Sequence, residues 1–314
     1  MILTALITLA AGSASALMFA SLISGAAISL LLFYLAPLPL MVAALGWSAA
    51  GAALGGLIAG TALVALFGLS YFATFVFTVV LPAGWLGHLA LLGRPAPLGV
   101  SPAGGPTSIE WYPIGRVIAW TAGLAALTTM AALFTLGTDS ESINAELRRG
   151  LLRIMNPSDN ARVDALVRIA PAAAAIVAMM TLTLNLWLAG KVTAMSGRLQ
   201  RPWPDLNAAA LPPMTLAALS LAIGLSFLGG LLGMIAQTAS TALMMAYALN
   251  GLATLHTLTR AIRHRGVWLS SCYALVMVLG WPVLLIVALG LADAIFNLRQ
   301  RYLQRAPPPP VALP

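Results

Sequence analysis

The sequence predicts an all-α fold: a polytopic integral membrane helix bundle with about eight transmembrane helices and one interfacial amphipathic helix. Three observations carry that prediction. Met1 to Gly93 contains no Lys, Arg, Asp or Glu, and a soluble fold cannot leave so long a stretch without solubilising charge. A bilayer instead asks for about 20 apolar residues per spanning helix. The whole chain is 61% hydrophobic and 8% charged, against roughly 25% charged in ordinary soluble domains. Finally, the net charge of +8 comes from basic residues dispersed at helix ends, which fits positive-inside anchoring rather than a nucleic-acid surface. The reading is one membrane domain over residues 1–305, followed by a proline-rich, disordered tail at 306–314.

In order along the chain, Ile2–Ala20 imitates a secretory signal but has no basic residue after Met1, so it reads as a retained first helix. Leu22–Leu35 follows, with Gly25 weakening continuity. Pro37-Leu38-Pro39 is expected to interrupt the next helix, because proline removes a donor and biases its predecessor away from helix. Such a break is either a turn at the membrane surface or part of a binding cavity. Leu40–Leu69 reads as one span carrying Gly51 and Gly55, a small-xxx-small face for close helix contact within the chain or with another subunit. Tyr71–Leu92 and Ile114–Leu136 are further spans, joined by an irregular loop over 94–113 whose Glu110 is a candidate surface partner for Arg116.

The segment 138–168 is the largest polar stretch. Ile143, Leu147, Leu151 and Ile154 fall at helical spacing, so Ser142–Met155 reads as an amphipathic helix lying on the membrane. Ser158 is a candidate cap for the helix after it. Ile169–Leu188 spans, Ala208–Met234 and Gln237–Thr257 form a hairpin, and Arg260, Arg263, His264 and Arg265 make the strongest basic cluster. Gly229 and Gly233 repeat the small-residue spacing. Gly280-Trp281-Pro282 divides Val267–Phe296 into two short arms. Read as a hairpin, it keeps Arg299, Arg301 and Arg305 on the same side as Arg260–Arg265, inside by the positive-inside rule. Read as one tilted helix, it puts them outside. The hairpin is preferred.

An ionisable group at membrane depth is costly and therefore a functional candidate by default. Asp293 is the clearest, with Arg299 close enough in sequence to pair with it. His256 and Asn250 form a polar strip on one helix, and Asn185 is a polar group in a separate span. With Pro37 and Pro39 these are the candidate ligand-cavity residues; Gly51, Gly55, Gly229 and Gly233 are the candidate helix-docking residues. No HExxH, no Walker loop and no GxSxG elbow occurs. The expectation is a non-enzyme without cofactor or metal. Cys272 stands alone, which excludes an internal disulfide.

At Leu35-Ala36-Pro37-Leu38-Pro39, the small-residue helix behind it, and the ending Leu289-Gly290-Leu291-Ala292-Asp293 through Arg299-Gln300-Arg301, most of the chain resembles the YybS-like predicted membrane proteins of bacteria. Where related chains carry a second acidic residue in that ending, this one has Asn297. The family has no assigned activity and is distantly similar to the substrate-binding S components of energy-coupling-factor transporters. The resemblance implies a multi-pass protein of the bacterial cytoplasmic (inner) membrane that captures a solute without an ATPase of its own, relying on other membrane subunits or an ATPase module. The few charges in the spans make that solute small and largely apolar or aromatic. The alternative is a non-catalytic scaffold or assembly factor in a membrane complex. Beyond the lipid bilayer itself, no nucleic-acid partner is expected.

Overall fold

The computed structural model describes residues 2–95, 109–155 and 160–305; the expected tail at 306–314 and the Ser158 cap lie outside the described residues. Among the described residues, seven helices or helix runs are long and apolar enough to cross a membrane. The first is α1 (Ile2–Ala20), continued by a short 3-10 turn. The second joins α2 (Ala27–Leu35) to α3 (Pro37–Gly46), and the third is α4 (Ala49–Phe67). The fourth joins α5 (Leu69–Phe75) to α6 (Leu81–Leu91) through a π-turn at Val76–Val80. Then come α7 (Ile114–Leu133), α9 (Asn160–Met195) and α11 (Gly230–Leu258), with α8 (Ser140–Ile154) between the first two. The shorter α10 (Pro213–Ser226), α12 (Arg265–Leu279), α13 (Val283–Phe296) and α14 (Leu298–Arg305) complete the described chain.

The Pro37–Pro39 element does not divide two spans. Pro37 sits at the first turn of α3, where a missing N–H costs nothing, and α2 and α3 cross as one run over Ala27–Gly46. The chain reverses ten residues later, at Trp47-Ser48, where the Ser48 hydroxyl accepts from Gly51 N–H at 3.0 Å and caps α4. The expected span Leu40–Leu69 is therefore split between two helices. The mild break before Pro37 is met from outside: Asn185 Nδ2 on α9 donates to the Tyr34 carbonyl at 2.8 Å. Freed carbonyls at membrane depth need such a partner, since lipid supplies none.

α1 and α4 run side by side with Gly12 against the backbone of Gly55 and Gly56, and Thr8 against Gly51 and Gly55. At the far end of that pair Phe19 packs against Phe33, Tyr71 and Phe75. The core continues through Leu40 and Met41 of α3, Leu86 of α6, Ala125 of α7, Met179 and Leu182 of α9 and Tyr247 of α11, all buried.

The ends of α3, α6, α9 and α11 meet the beginnings of α7 and α10 at one end of the bundle. Gly46 lies beside Thr193 and Arg198, Arg201 Nη1 donates to the Ala90 carbonyl at 3.1 Å, and Gly115 abuts Ala210. Because α9 ends and α11 ends there, α10 with its lead-in must make the intervening pass. With the seven long runs, that makes eight passes among the described residues, in line with the sequence expectation. The turn between α10 and α11 falls at Phe227–Gly230, earlier than expected, and uses Gly229 and Gly230 at φ 73° and 59°, the left-handed region that glycine enters without strain.

The 265–296 stretch is two arms. Gly280, at φ 72°, closes α12. α12 and α13 have 15 and 14 residues, about 21–22 Å each, short of the roughly 30 Å hydrocarbon core. Gly251 and Gly290 bring α11 and α13 into backbone contact. Further along both helices, Thr257 and Arg260 share a cavity wall with Asn297, Arg299 and Gln300. α13 thus runs parallel to α11 and packs on it, while α12, which has no buried residue, lies on the outside of the bundle.

At the opposite end, α8 is the expected amphipathic helix. Its N-cap Asp139 accepts from Glu141 and Ser142 N–H at 3.0 and 2.9 Å, Ile143 is fully buried, and Arg148 pairs with Asp164 at the start of α9. The loop over 94–113 is not wholly irregular: β1 (Gly93–Pro95) pairs antiparallel with β2 (Ile109–Trp111).

Candidate functional site

The basic end carries two adjoining cavities, separated by the strap Trp203–Ala210 that leads into α10. Asn207, in a 3-10 turn capped by Asp205, contributes to both walls. Ala209 and Leu211 of this non-helical lead-in are buried, consistent with irregular backbone at membrane depth surviving only where protein covers it.

The first cavity, of about 380 Å³, lies among α7, α9, α11 and α12. Its body is apolar, with Val117 and Ile118 from α7, Leu186 from α9, and Leu249 and Leu252 from α11. Aromatic groups rim it: Trp187, Trp203, Tyr273 and His256. Lys191 Nζ sits 4.1 Å from the Trp203 ring centroid and 5.7 Å from that of Trp187. This is a cation–π bracket that fixes both indoles where tryptophan belongs, at the membrane–water interface. His256 Nε2 and Tyr273 Oη are 2.6 Å apart, joining α11 to α12, and Arg265 Nη2 donates to the His256 carbonyl at 3.1 Å. Two polar groups on this wall are incompletely used. Thr183 Oγ1 is buried without a hydrogen-bond partner. Arg201 donates Nη1 to Ala90 and lies over the Trp111 ring at 5.9 Å, but among the described residues no carboxylate pairs with it; burial pushes its pKa below the ordinary value.

The second cavity, of about 430 Å³, is floored by charge. Asp293 and Arg299 are 5% and 8% exposed. Arg299 Nε donates to Asp293 Oδ2 at 2.8 Å, its own backbone N–H donates to Oδ1 at 3.0 Å, Nη2 reaches Asn250 Oδ1 at 2.9 Å and Nη1 the Asn207 carbonyl at 2.7 Å. Every guanidinium nitrogen is spent, as a buried cation requires. Asn297, at φ 52°, lets the chain bend by 67° between α13 and α14 so that Arg299 folds back onto Asp293.

The candidate cavity residues are therefore divided. His256 lines the apolar cavity; Asn250 and Asp293 line the charged one. Asn185, Pro37 and Pro39 line neither, and Asn185 serves the α2–α3 break instead. Among the docking candidates, Gly51 and Gly55 are covered by α1. Gly229 is a turn residue rather than part of a helix face, and Gly233 faces the Ser226 carbonyl across that turn. Glu110 pairs with Arg94 at 2.9 Å, not with Arg116, which lies over the Tyr112 ring. The residues that sequence reasoning passed over are Arg201, Trp187, Trp203 and Tyr273. The signal was present for the tryptophans, which flank Lys191 in the chain.

Fold and charge distribution define a multi-pass membrane helix bundle whose apolar outer faces contact a lipid bilayer. The family comparison agrees with that class. The family described as Predicted membrane protein (DUF2232) matches residues 144–294, as the sequence resemblance led one to expect, though over less of the chain. The matched part runs from α8 through Asp293 and leaves out Pro37–Pro39 and Arg299. No curated protein and no solved structure matches the chain.

Proposed function

We propose that the chain is a transport-related, solute-binding membrane subunit, non-enzymatic and without an ATPase of its own, similar in role to the S components of energy-coupling-factor transporters. The single observation that carries this reading is the apolar cavity at the basic end. Its size lies at the lower part of the range of small-molecule sites, and a mostly apolar wall with a few convergent polar groups is the usual make-up of such sites. Its aromatic rim suits a small apolar or aromatic solute. Arg94, Arg116, Lys191, Arg198, Arg201, Arg260, Arg263, Arg265, Arg299 and Arg301 gather at this end, while the acidic and basic groups around α8 offset one another. By the positive-inside rule the cavity end is cytoplasmic, in a bacterial inner membrane. Coupling to an ATPase would take place at that end.

The test is purification in mild detergent followed by mass spectrometry of retained small molecules and co-purifying proteins. A retained apolar metabolite, lost in an Ala253→Trp variant that fills the cavity, supports the reading. A wild-type protein that carries no small molecule and binds none from a library of apolar and aromatic solutes would sink it.

A further inference from the structure

The solute-binding reading leaves open what chemistry the cavity selects, and the charge balance at the basic end answers it. Three carboxylates are found there among the described residues, and each is engaged elsewhere. Glu110 pairs with Arg94, Asp293 with Arg299, and Asp205 Oδ1 accepts from Asn207 N–H and Nδ2. None of the three lines the apolar cavity. The stretch 96–108 contains no acidic residue either. Arg201 is thus a half-buried cation on an apolar wall with one hydrogen bond, to a neutral carbonyl, and one ring contact. Partly desolvated guanidinium groups are ordinarily paired. Here the described residues supply no counter-ion, and the buried, unbonded Thr183 hydroxyl lines the same space.

We infer that the apolar cavity binds an organic monoanion: a carboxylate carried on an apolar or aromatic body, its head paired with Arg201 and its body among Val117, Leu186, Leu249 and Leu252. A guanidinium presents donors in a fork that matches a carboxylate. One nitrogen already serves Ala90, and Lys191 is held on the tryptophan rings, so a single negative charge matches the site better than a dianion. In the neighbouring cavity Arg299 is already paired with Asp293 and bonded to Asn250 and Asn207, so it offers the head no free fork. This inference rests on the solute-binding reading and narrows its substrate class. The same head-and-body chemistry is found in a soluble aromatic acid and in a fatty acid dissolved in the bilayer.

The test uses the full chain in phosphatidylcholine nanodiscs, with 2-naphthoate as probe and 2-naphthalenemethanol as its neutral counterpart, binding being followed by quenching of tryptophan fluorescence and by calorimetry. Wild type should bind the acid at least tenfold more tightly than the alcohol. Arg201→Gln should erase that preference while still binding the alcohol, and Arg201→Lys should restore part of it. Thermal melts of each variant report whether the fold survives the loss of the Ala90 bond. Displacement of naphthoate by oleate added to the bilayer would assign the ligand to the lipid phase; its persistence would assign a soluble acid, and both outcomes support the monoanion. Equal binding of acid and alcohol by wild type, or an acid preference that survives in Arg201→Gln, overturns the monoanion while leaving solute binding intact. Binding of neither probe overturns both.

Discussion

Two helix seams in this molecule use the same device for different ends. In the α1–α4 seam, Gly12 and Gly55 let the backbones touch, and an added methyl at either would collide with the facing carbonyl. The α11–α13 seam does the same with Gly251 against Ile286 and Gly290 against Tyr247. In both, close approach replaces the hydrophobic force that lipid cannot provide between helices. The first seam contains no charge and joins two complete spans. The second lies beside Asn250, Asp293 and Arg299 and holds a helix that only partly crosses. The difference shows what a short arm requires. α13 lacks the length to be fixed by the bilayer, so its depth and the return of the chain are set by a charged latch reaching from α14 to α11 and the strap.

That account is broken most directly at the latch. Asp293→Ala leaves Arg299 buried with no counter-charge, and breaking a buried pair on one side costs roughly 3–5 kcal/mol. Thermal or SDS unfolding should show a loss of that size, together with increased protease access to α14. The double variant Asp293→Asn, Arg299→Gln removes both charges and should recover much of the stability. Were the single and double variants equally damaged, the pair would matter only for its shape. An undamaged Asp293→Ala protein would mean that the short arm is held by packing alone.

The glycines give the next largest effect and compare the seams directly. Gly55→Ala and Gly251→Ala each force backbones apart, for a cost of roughly 1–3 kcal/mol by the usual scale of overpacking. Melting temperatures should fall in both. Only Gly251→Ala should also change the cavity end, because Asn250, its neighbour, donates to the Gly290 carbonyl at 3.2 Å. A cysteine introduced at Gln300 would report that change as altered labelling by a water-soluble maleimide. Equal labelling in the two variants would separate the second seam from the latch.

Much of this organisation was legible in the sequence because the bilayer leaves few choices. Runs of apolar residues must cross, so eight passes and the interfacial α8 follow from length and periodicity. Helix ends were harder to read. Prolines 37 and 39 look like a boundary, yet Pro37 at a helix's first turn loses nothing, and the true reversal uses Trp47 and Ser48, whose capping role is visible only once the turn is seen. Asp293 was readable as an unusual buried charge, and its pairing with Arg299 followed from spacing. Arg201 was not readable. Its significance lies in the carboxylates that do not reach it, and no local motif encodes an absence of partners in three dimensions. The division of Asn250, Asp293 and His256 between two cavities depends on the strap at 203–210, a segment without periodicity.

The smallest effect should come from the same ion-pair chemistry placed in water. Arg94 and Glu110 are joined at 2.9 Å across the β1–β2 hairpin with side chains 74% and 51% exposed, so solvent and salt screen the attraction that Asp293 and Arg299 feel almost undiminished. The hydrogen bond and charge of Arg94 hold the Glu110 carboxyl below its ordinary pKa. Its contribution is therefore present above the unfolded-state value and lost as pH falls through the lowered one. Glu110→Gln should leave the melting temperature unchanged at neutral pH and 0.15 M salt. At low salt, faster amide exchange confined to 93–95 and 109–111 should separate the variant from wild type, and acidification below the Glu110 pKa should abolish that separation. A global loss of stability in Glu110→Gln would mean that the hairpin braces the bundle, and that exposure alone does not distinguish the two pairs.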